Sequence, residues 1–422
     1  MRLNVTSEIG RLKSVLVHLP GREIEEMVPP MMAQLLFDDI LYGQVAREEH
    51  RRFQQLIRFV ADDVVDIQDL LEEVFENPEL KDALVRDLGK RNGLSRNLIG
   101  RLRELGPAAL AEVLIGGIAK ETGSGELPEF ELFPIPNLFF MRDPQVVIGD
   151  RVVISSMATQ ARRRESLISK YVFENHPRFK EVPPFWVDFM ATEPERPMSR
   201  RMPTLEGGDV LVPRRDLLLV GITERTNKTG VEALIRSLKA EKAGVETVII
   251  VDIPRQRSFM HLDTIFTFIN RHECLIYPPV ILPSGSQAAK ITSVDLTKKR
   301  SVGYSEQKSL LGALKKCGFE LEPIYCGGKR AVDQQREQWT DGANAFALAP
   351  GIILLYERNV RTAEELQRHG YHIVYEDDLL LGRTELETWT DKKYALQIAG
   401  NELARARGGP RCMTMPLVRE EL

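Results

Sequence analysis

Apolar runs separated by turn residues recur along the chain in a fixed order. Val146–Ile148 and Val152–Ile154 flank Gly149-Asp150-Arg151 and predict a tight hairpin. A helix is expected next, with Leu167, Ile168, Tyr171 and Val172 at helical spacing, and then a short aromatic-rich strand near Phe185–Phe189. The same order returns in Val210–Val212, a Pro213–Asp216 turn and Leu217–Val220. Its helix carries Val231, Leu234, Ile235 and Leu238 at i, i+3, i+4 and i+7, and its strand is Val248–Val251. A third hairpin runs from Thr264–Phe268 to Cys274–Tyr277, followed by a Pro/Gly/Ser-rich connection and a helix near Glu306–Lys316. A fourth pairs Phe346–Leu348 with Ile352–Leu355 across Ala349-Pro350-Gly351. Its helix is expected to open on the capping box Thr362-x-x-Glu365, and its strand is Ile373–Tyr375.

A fifth unit assembles from the two chain ends. Met413–Leu417 would pair with Ser14–His18, followed by a helix bearing Phe53, Leu56, Ile57 and Val60 and a strand at Val64–Ile67. Five strand–strand–helix–strand units, one closed by both ends, describe a ring, and radial repetition is one way to avoid long exposed sheet edges. An open, doubly wound sheet is the alternative. It would alternate single strands with helices, whereas here a hairpin adjoins each helix. Between about Leu70 and Phe133 the pattern turns helical (Glu72–Phe75, Leu80–Leu88, Leu98–Leu105, Ala108–Lys120), punctuated at Gly89–Gly93 and Thr122–Gly125. The expected organisation is therefore α/β: residues 1–69 form the first part of the ring, 70–133 a helical insertion, and 134–422 the remainder.

Composition narrows the function. The 422 residues are 43% hydrophobic and 28% charged, the balance of a globular chain with a substantial core. With 57 basic and 61 acidic side chains the net charge is -4, which is not the footprint of a nucleic-acid binder. No apolar run approaches the ~20 residues that cross a bilayer, so no membrane association is expected. Met1–Glu8 has no apolar signal core, so the cytoplasm is the expected compartment. Cys274, Cys317, Cys326 and Cys412 form no C-x-x-C pair, which disfavours both a disulfide framework and a thiolate zinc site. His369-x-x-His372 runs into an expected strand with no site residue near it, so neither metal nor organic cofactor is expected.

The chemistry-bearing residues stand just before the hairpins. Asn137–Pro144 precedes the first, Leu205–Asp209 the second, Met260–Thr264 the third, Asp341–Asn344 the fourth and Gly408–Cys412 the fifth. If the units are equivalent, Asp143, Glu206, His261, Asp263 and Cys412 face one cavity. Taken singly, each has a plain structural reading: turn residues for Asp143 and the Glu206–Asp209 stretch, a satisfied histidine for His261, a buried small apolar residue for Cys412. Their equivalent placement favours chemistry. A thiolate would be the nucleophile and an imidazole the proton carrier. Paired carboxylates suit a planar cation held along its edges, which implies attack on a guanidinium carbon.

These residues resemble the arginine deiminase family of the guanidino-modifying superfamily. The resemblance spans almost the whole chain. It rests on Ser7-Glu8-Ile9-Gly10-x-Leu12-Lys13 with Pro20-Gly21, the 137–144 stretch, Ala161–Glu165, Leu205–Asp209, Glu224-Arg225 and Met260–Thr264. It continues through Gln338-Trp339-x-Asp341-Gly342-x-Asn344, Pro350-Gly351, Arg358-Asn359 and Cys412-Met413-Thr414. It implies a five-bladed α/β-propeller (pentein) fold and hydrolysis of L-arginine to L-citrulline and ammonia, the first step of arginine degradation. In that scheme Cys412 carries an amidino intermediate, and His261 protonates the departing ammonia and then activates water. Asp143 and Asp263 grip the guanidinium, while Glu206 orients His261. Asn137, Phe140, Arg162 and Arg225 match the amino-acid end of the substrate, and Glu8, Asp209 and Arg407 match positions that support or gate the site. Relatives are commonly dimers or higher oligomers, so a homo-oligomer is open. Arg411 and Pro410 depart from the residues some relatives carry before the cysteine. Two alternatives remain at this level: amidino transfer to an amine, and a non-catalytic arginine-binding protein.

Overall fold

A computed structural model describes residues 1–120, 129–190, 202–298, 302–388 and 390–422. Five sheets are built alike: an antiparallel pair, with a further strand lying parallel to one member of the pair. The chain ends form the first, with Leu12–Val17 lying between Met415–Arg419, antiparallel, and Asp63–Asp66, parallel. Gln145–Ile148 and Arg151–Ile154 form the second hairpin, turned at Gly149 (φ 62°), with Val187–Asp188 parallel to it. Val210–Arg214 and Leu217–Ile222 form the third, with Thr247–Asp252 parallel. Phe266–Asn270, Glu273–Ile276 and Glu322–Tyr325 repeat the plan. The last hairpin is Phe346–Ala349 with Ile352–Tyr356, turned at Gly351 (φ 77°).

The hairpin strands are apolar along their whole length because both faces are covered; every residue of Ile352–Tyr356 is buried. Helices Gly43–Ile57, Arg163–Asn175, Lys228–Ala240, Leu310–Lys316 and Val360–Arg368 each send an apolar stripe inward. Helices Ile67–Phe75, Pro78–Asn92, Arg96–Glu104 and Pro107–Gly116 share one apolar cluster with the Gln145–Ile154 hairpin, through Leu71, Leu88, Leu102 and Leu114. No helix among the described residues is long and apolar enough to cross a membrane.

Several expectations are corrected. The strand near Phe185–Phe189 is only Val187–Asp188, and Trp186 before it donates its indole N–H to the Ile148 carbonyl at 2.8 Å. Glu306 lies in a strand, not a helix: Lys290–Asp295 and Gly303–Gln307 fold back as two extra strands on the Thr247–Asp252 sheet. The helix starts at Leu310, capped by Ser309, whose hydroxyl accepts the Gly312 N–H at 3.1 Å. Thr362 is not an N-cap, because its helix already starts at Val360. The Arg361 and Thr362 N–H groups are instead accepted by the Glu337 carboxylate, at 2.7 and 2.8 Å. Lys393–Ile398 was not anticipated and separates Ile352–Tyr356 from Tyr371–Tyr375. The helix expected over Ala108–Lys120 stops at Gly116, with Gly117 at φ 80°, and Ile118–Ala119 pairs with Phe130–Leu132. The Thr122–Gly125 stretch lies outside the described residues.

Candidate active site

Asp143, Glu206, His261 and Cys412 each sit on a short turn leading into a strand. Asp143 stands one residue, Pro144, before Gln145–Ile148. Glu206 precedes the 3₁₀ turn Gly207–Asp209, His261 precedes the turn Leu262–Thr264, and Cys412 precedes Met415–Arg419. Such turns hold side chains rigidly because the strand behind them is locked in the core. Gly208 is small of necessity: a Cβ there would stand 2.7 Å from the His261 ring. A Cβ at Gly409 would meet the Asn344 amide oxygen at the same distance.

The thiol of Cys412 lies 3.9 Å from Asp263 Oδ2, and both residues are buried. The Cys412 N–H donates to Asn344 Oδ1 at 3.1 Å, and the Arg411 N–H donates to the same oxygen, also at 3.1 Å. Asn344 Nδ2 in turn donates to the Asp263 carbonyl at 3.0 Å. One buried amide therefore ties the nucleophile's loop to the turn carrying His261 and Asp263. His261 Nε2 is hydrogen-bonded to Glu206 Oε2 at 2.9 Å, while Nδ1 is 3.7 Å from Asp143 Oδ1. Asp143 Oδ2 accepts from Arg162 Nη1 at 2.9 Å. Oδ1 of Asp143 and Oδ1 of Asp263 are buried without a hydrogen-bond partner. Unpaired buried carboxylate oxygens are acceptors open to N–H donors, since leaving them bare is costly.

Electrostatics set the protonation states. Burial opposes charge on His261, but Asp143 and the Glu206 hydrogen bond outweigh it and push the imidazolium up to about 10. Burial would raise Glu206, yet the His261 hydrogen bond with Arg162 and Arg225 brings it down to about 2. The two form an ion pair at neutral pH. Burial, then Asp263, Asp143 and Asp341, pushes the Cys412 thiol well above its usual range. Burial also raises Asp209 to about 7. That carboxyl lies behind the histidine turn, accepting from the Leu262 N–H at 2.9 Å and the Thr223 hydroxyl at 2.8 Å.

A constricted cavity of about 20 Å³ is lined by Asn137, Phe140, Asp143, Arg162, Arg225, His261, Arg407 and Cys412, together with Leu36 and Asp38. Glu206, Asp209, Asp263 and Glu8 stand behind this wall rather than in it. A roomier cavity of about 330 Å³, lined by Ile9, Phe268 and Phe319, contains neither a thiol nor His261. Arg225 is buried with Nε and Nη1 unpaired, its one bond a weak contact to Met260 Sδ at 3.6 Å. Arg162 is instead clasped by Glu165 and Asp143, and its Nη1 is 3.5 Å from Glu206 Oε2. Asn137 donates to the Leu35 carbonyl at 2.7 Å. Arg407 adopts a left-handed backbone (φ 63°) and lays its guanidinium 3.5 Å over the Trp339 ring. Glu8 accepts from Arg411 at 3.1 Å and from the Val212 N–H at 2.8 Å.

Among the described residues, Asp143, Glu206 and His261 bring their ligand atoms within 4.8 Å of one another, close enough for a metal ion. Arg162 already places a cation on that acceptor set, which removes the electrostatic reason for one. Sequence reasoning gave no role to Asn344, Glu165 or Arg411. Asn344 had a signal, since it precedes the fourth hairpin as the other site residues precede theirs.

Solved structures share this fold. The N-terminal domain of ArgZ, covalently bound to a reaction intermediate, superposes with a TM-score of 0.51 at 15% identity, over 96% of this chain and 98% of its own. SxtG, an amidinotransferase from Microseira wollei, gives 0.50 at 14% identity, over 100% and 98%. These likenesses concern the fold, which is the mixed α/β architecture of the pentein enzymes. The sequence is more specific. The arginine deiminase family model matches residues 33–104 and 118–419. Arginine deiminases of Lactococcus lactis subsp. lactis (strain IL1403) and Clostridium perfringens (strain SM101 / Type A) are each 36% identical over 100% of this chain, and over 99% and 98% of their own lengths. That of Bacillus cereus (strain B4264) is 33% identical over 100% and 99%. The chain belongs to the arginine deiminase family.

Proposed function

We propose that the protein is a cysteine-dependent hydrolase that converts L-arginine to L-citrulline and ammonia, the entry to arginine breakdown, in the cytoplasm. The observation that carries the reading is the pair of buried carboxylates around the Cys412 thiol: Asp263, whose Oδ2 is 3.9 Å from the sulfur, and Asp143, which lines the same cavity with Oδ1 unpaired. A guanidinium supplies N–H donors on both edges and the positive charge this acidic pocket lacks. That charge draws the thiol toward thiolate, its proton passing to solvent, and the sulfur adds to the guanidinium carbon. His261, protonated at neutral pH, gives a proton to the departing nitrogen, so ammonia leaves and a C–S bond remains in an amidino-cysteine. Neutral His261 then takes a proton from water, whose oxygen adds to the same carbon. The C–S bond breaks, and citrulline leaves with the thiol restored. Glu206 holds the imidazole throughout.

Arg225, with two unpaired donor atoms in the cavity wall, is the receptor for the substrate carboxylate. Arg162, Asn137 and Phe140 complete that end of the site. Asp209 backs the His261 turn, and Arg407 with its Trp339 stack closes the mouth. The five sheets read as five blades of an α/β-propeller closed by a strand from each chain end. Residues 1–69 and 134–422 make up that unit and 70–133 is its helical insertion.

The test is citrulline formation from L-arginine with no added metal or amine, with Cys412→Ala alongside. Citrulline lost in the variant supports the reading. Amidine transfer appearing only with an added amine would replace it by a transferase, and binding without turnover by an arginine receptor.

A further inference from the structure

The two buried aspartates around the Cys412 thiol share one construction. Asp143 Oδ2 is held by Arg162 Nη1 at 2.9 Å and Asp263 Oδ2 by Arg411 Nη1 at 2.8 Å, while the Oδ1 of each is bare. Behind Asp263 the support extends further. Arg411 Nε and Nη2 donate to Glu8 Oε2 at 3.2 and 3.1 Å, and Nη2 also donates to the Val210 carbonyl at 3.1 Å. Glu8 is fixed in turn by the Val212 N–H at 2.8 Å. All three guanidinium nitrogens of Arg411 are engaged, so its plane cannot rotate. Its backbone N–H shares Asn344 Oδ1 with that of Cys412. One residue therefore links the nucleophile's loop to the carboxylate beside it.

The charges match the geometry. Asp263 has no solvent exposure, and burying a carboxylate is costly unless a cation is paired with it. The charged or titratable groups facing Asp263 are Arg411, the more distant Arg142, Asp341 and the Cys412 thiol. Only Arg411 touches it as a cation. Around Arg411 stand Glu8, Asp263, Arg142 and Arg419, so Glu8 offsets a crowd of three buried arginines.

We propose that Arg411, braced by Glu8, is a positioning residue that holds the Asp263 carboxylate in place beside the Cys412 thiol, where it receives the charge of the substrate guanidinium. This rests on the arginine-hydrolysing reading. It makes Arg411, which departs from the residue some relatives carry before the cysteine, part of the working apparatus, acting through Asp263.

The test is kcat and KM for L-arginine, measured separately together with Tm, in wild type, Arg411→Met, Arg411→Lys and Glu8→Gln. Arg411→Met is expected to lower kcat/KM by roughly 100-fold, the scale seen when a group that orients a liganding side chain is lost. KM should rise with it, because the carboxylate that receives the guanidinium loses its brace. Arg411→Lys should restore part of the loss but not all of it, because an ammonium cannot span Asp263 and Glu8 together. Glu8→Gln should lower kcat/KM less than Arg411→Met does, since Arg411 keeps its bonds to Asp263 and the Val210 carbonyl. If Arg411→Met does not fold, Glu8→Gln and Arg411→Lys still carry the test. Unchanged kcat and KM in the folded variants, with losses confined to Tm, would overturn the proposal. Wild-type protein that makes no citrulline would instead overturn the reading beneath it.

Discussion

Cys412 sits where a thiol ionises with difficulty: buried, and facing Asp263, Asp143 and Asp341. A nucleophile placed there depends on its substrate's charge. Iodoacetamide should therefore alkylate Cys412 of the free protein with a midpoint above the ordinary thiol value of about 8.5. A midpoint near 6 would show a pre-formed thiolate and undo that part of the mechanism. The His261–Glu206 pair has its own pH signature. The imidazole is raised from about 6.5 to about 10 in the fold, so its stabilisation is fully present below 6.5 and fades as pH rises through 10. Against His261→Asn, the wild-type advantage in Tm should shrink between those limits; a constant advantage would contradict the ion pair. For substrate recognition, Arg225→Ala should raise KM for L-arginine by about 10- to 100-fold, as expected for losing a charge-assisted hydrogen bond of roughly 1.5–3 kcal/mol. Turnover of agmatine, which lacks the carboxylate, should hardly change. Equal losses on both substrates would remove Arg225 from that role. At this scale the sequence was readable where residue type and equivalent position coincided. It was silent on Asn344, because the partners that give it a role, Cys412 and Asp263, are distant in sequence.

Among elements, the hairpins were the most legible. Their apolar runs are short, broken by Gly149 or Gly351 in left-handed turns, and buried on both faces. The outer parts were less legible. Lys393–Ile398 and the Lys290–Gln307 excursion add strands whose partners lie in an already complete pattern, and local periodicity cannot reveal pairing. The misread capping box has a physical reason too. The first turn of Val360–Arg368 is capped from another helix by Glu337, which also accepts from the Thr362 hydroxyl at 2.7 Å. Glu337→Ala should therefore cost about 1.5–3 kcal/mol in urea unfolding, the scale of hydrogen bonds to a charged group. A cost within about 0.5 kcal/mol of zero would mean water replaces the cap.

At the scale of the whole molecule, the two chain ends are one structural unit. Met415–Arg419 pairs with Leu12–Val17, and buried Arg419 donates to the Gly10 and Ala347 carbonyls at 2.7 and 2.8 Å. Removing residues 415–422 takes away the strand that follows Cys412 and is expected to abolish cooperative thermal unfolding as well as activity. The pairing of the ends was visible in the sequence because both apolar runs lacked any other partner. The central claim is that this fold brings residues from five hairpin entries together to make and break a carbon–sulfur bond. Acid-quenching the enzyme during turnover of L-arginine, followed by peptide mass spectrometry, tests it most directly. The account predicts an adduct equal to arginine less ammonia on the peptide bearing Cys412; citrulline formed with no such adduct, or with the adduct on Cys274, Cys317 or Cys326, would contradict it.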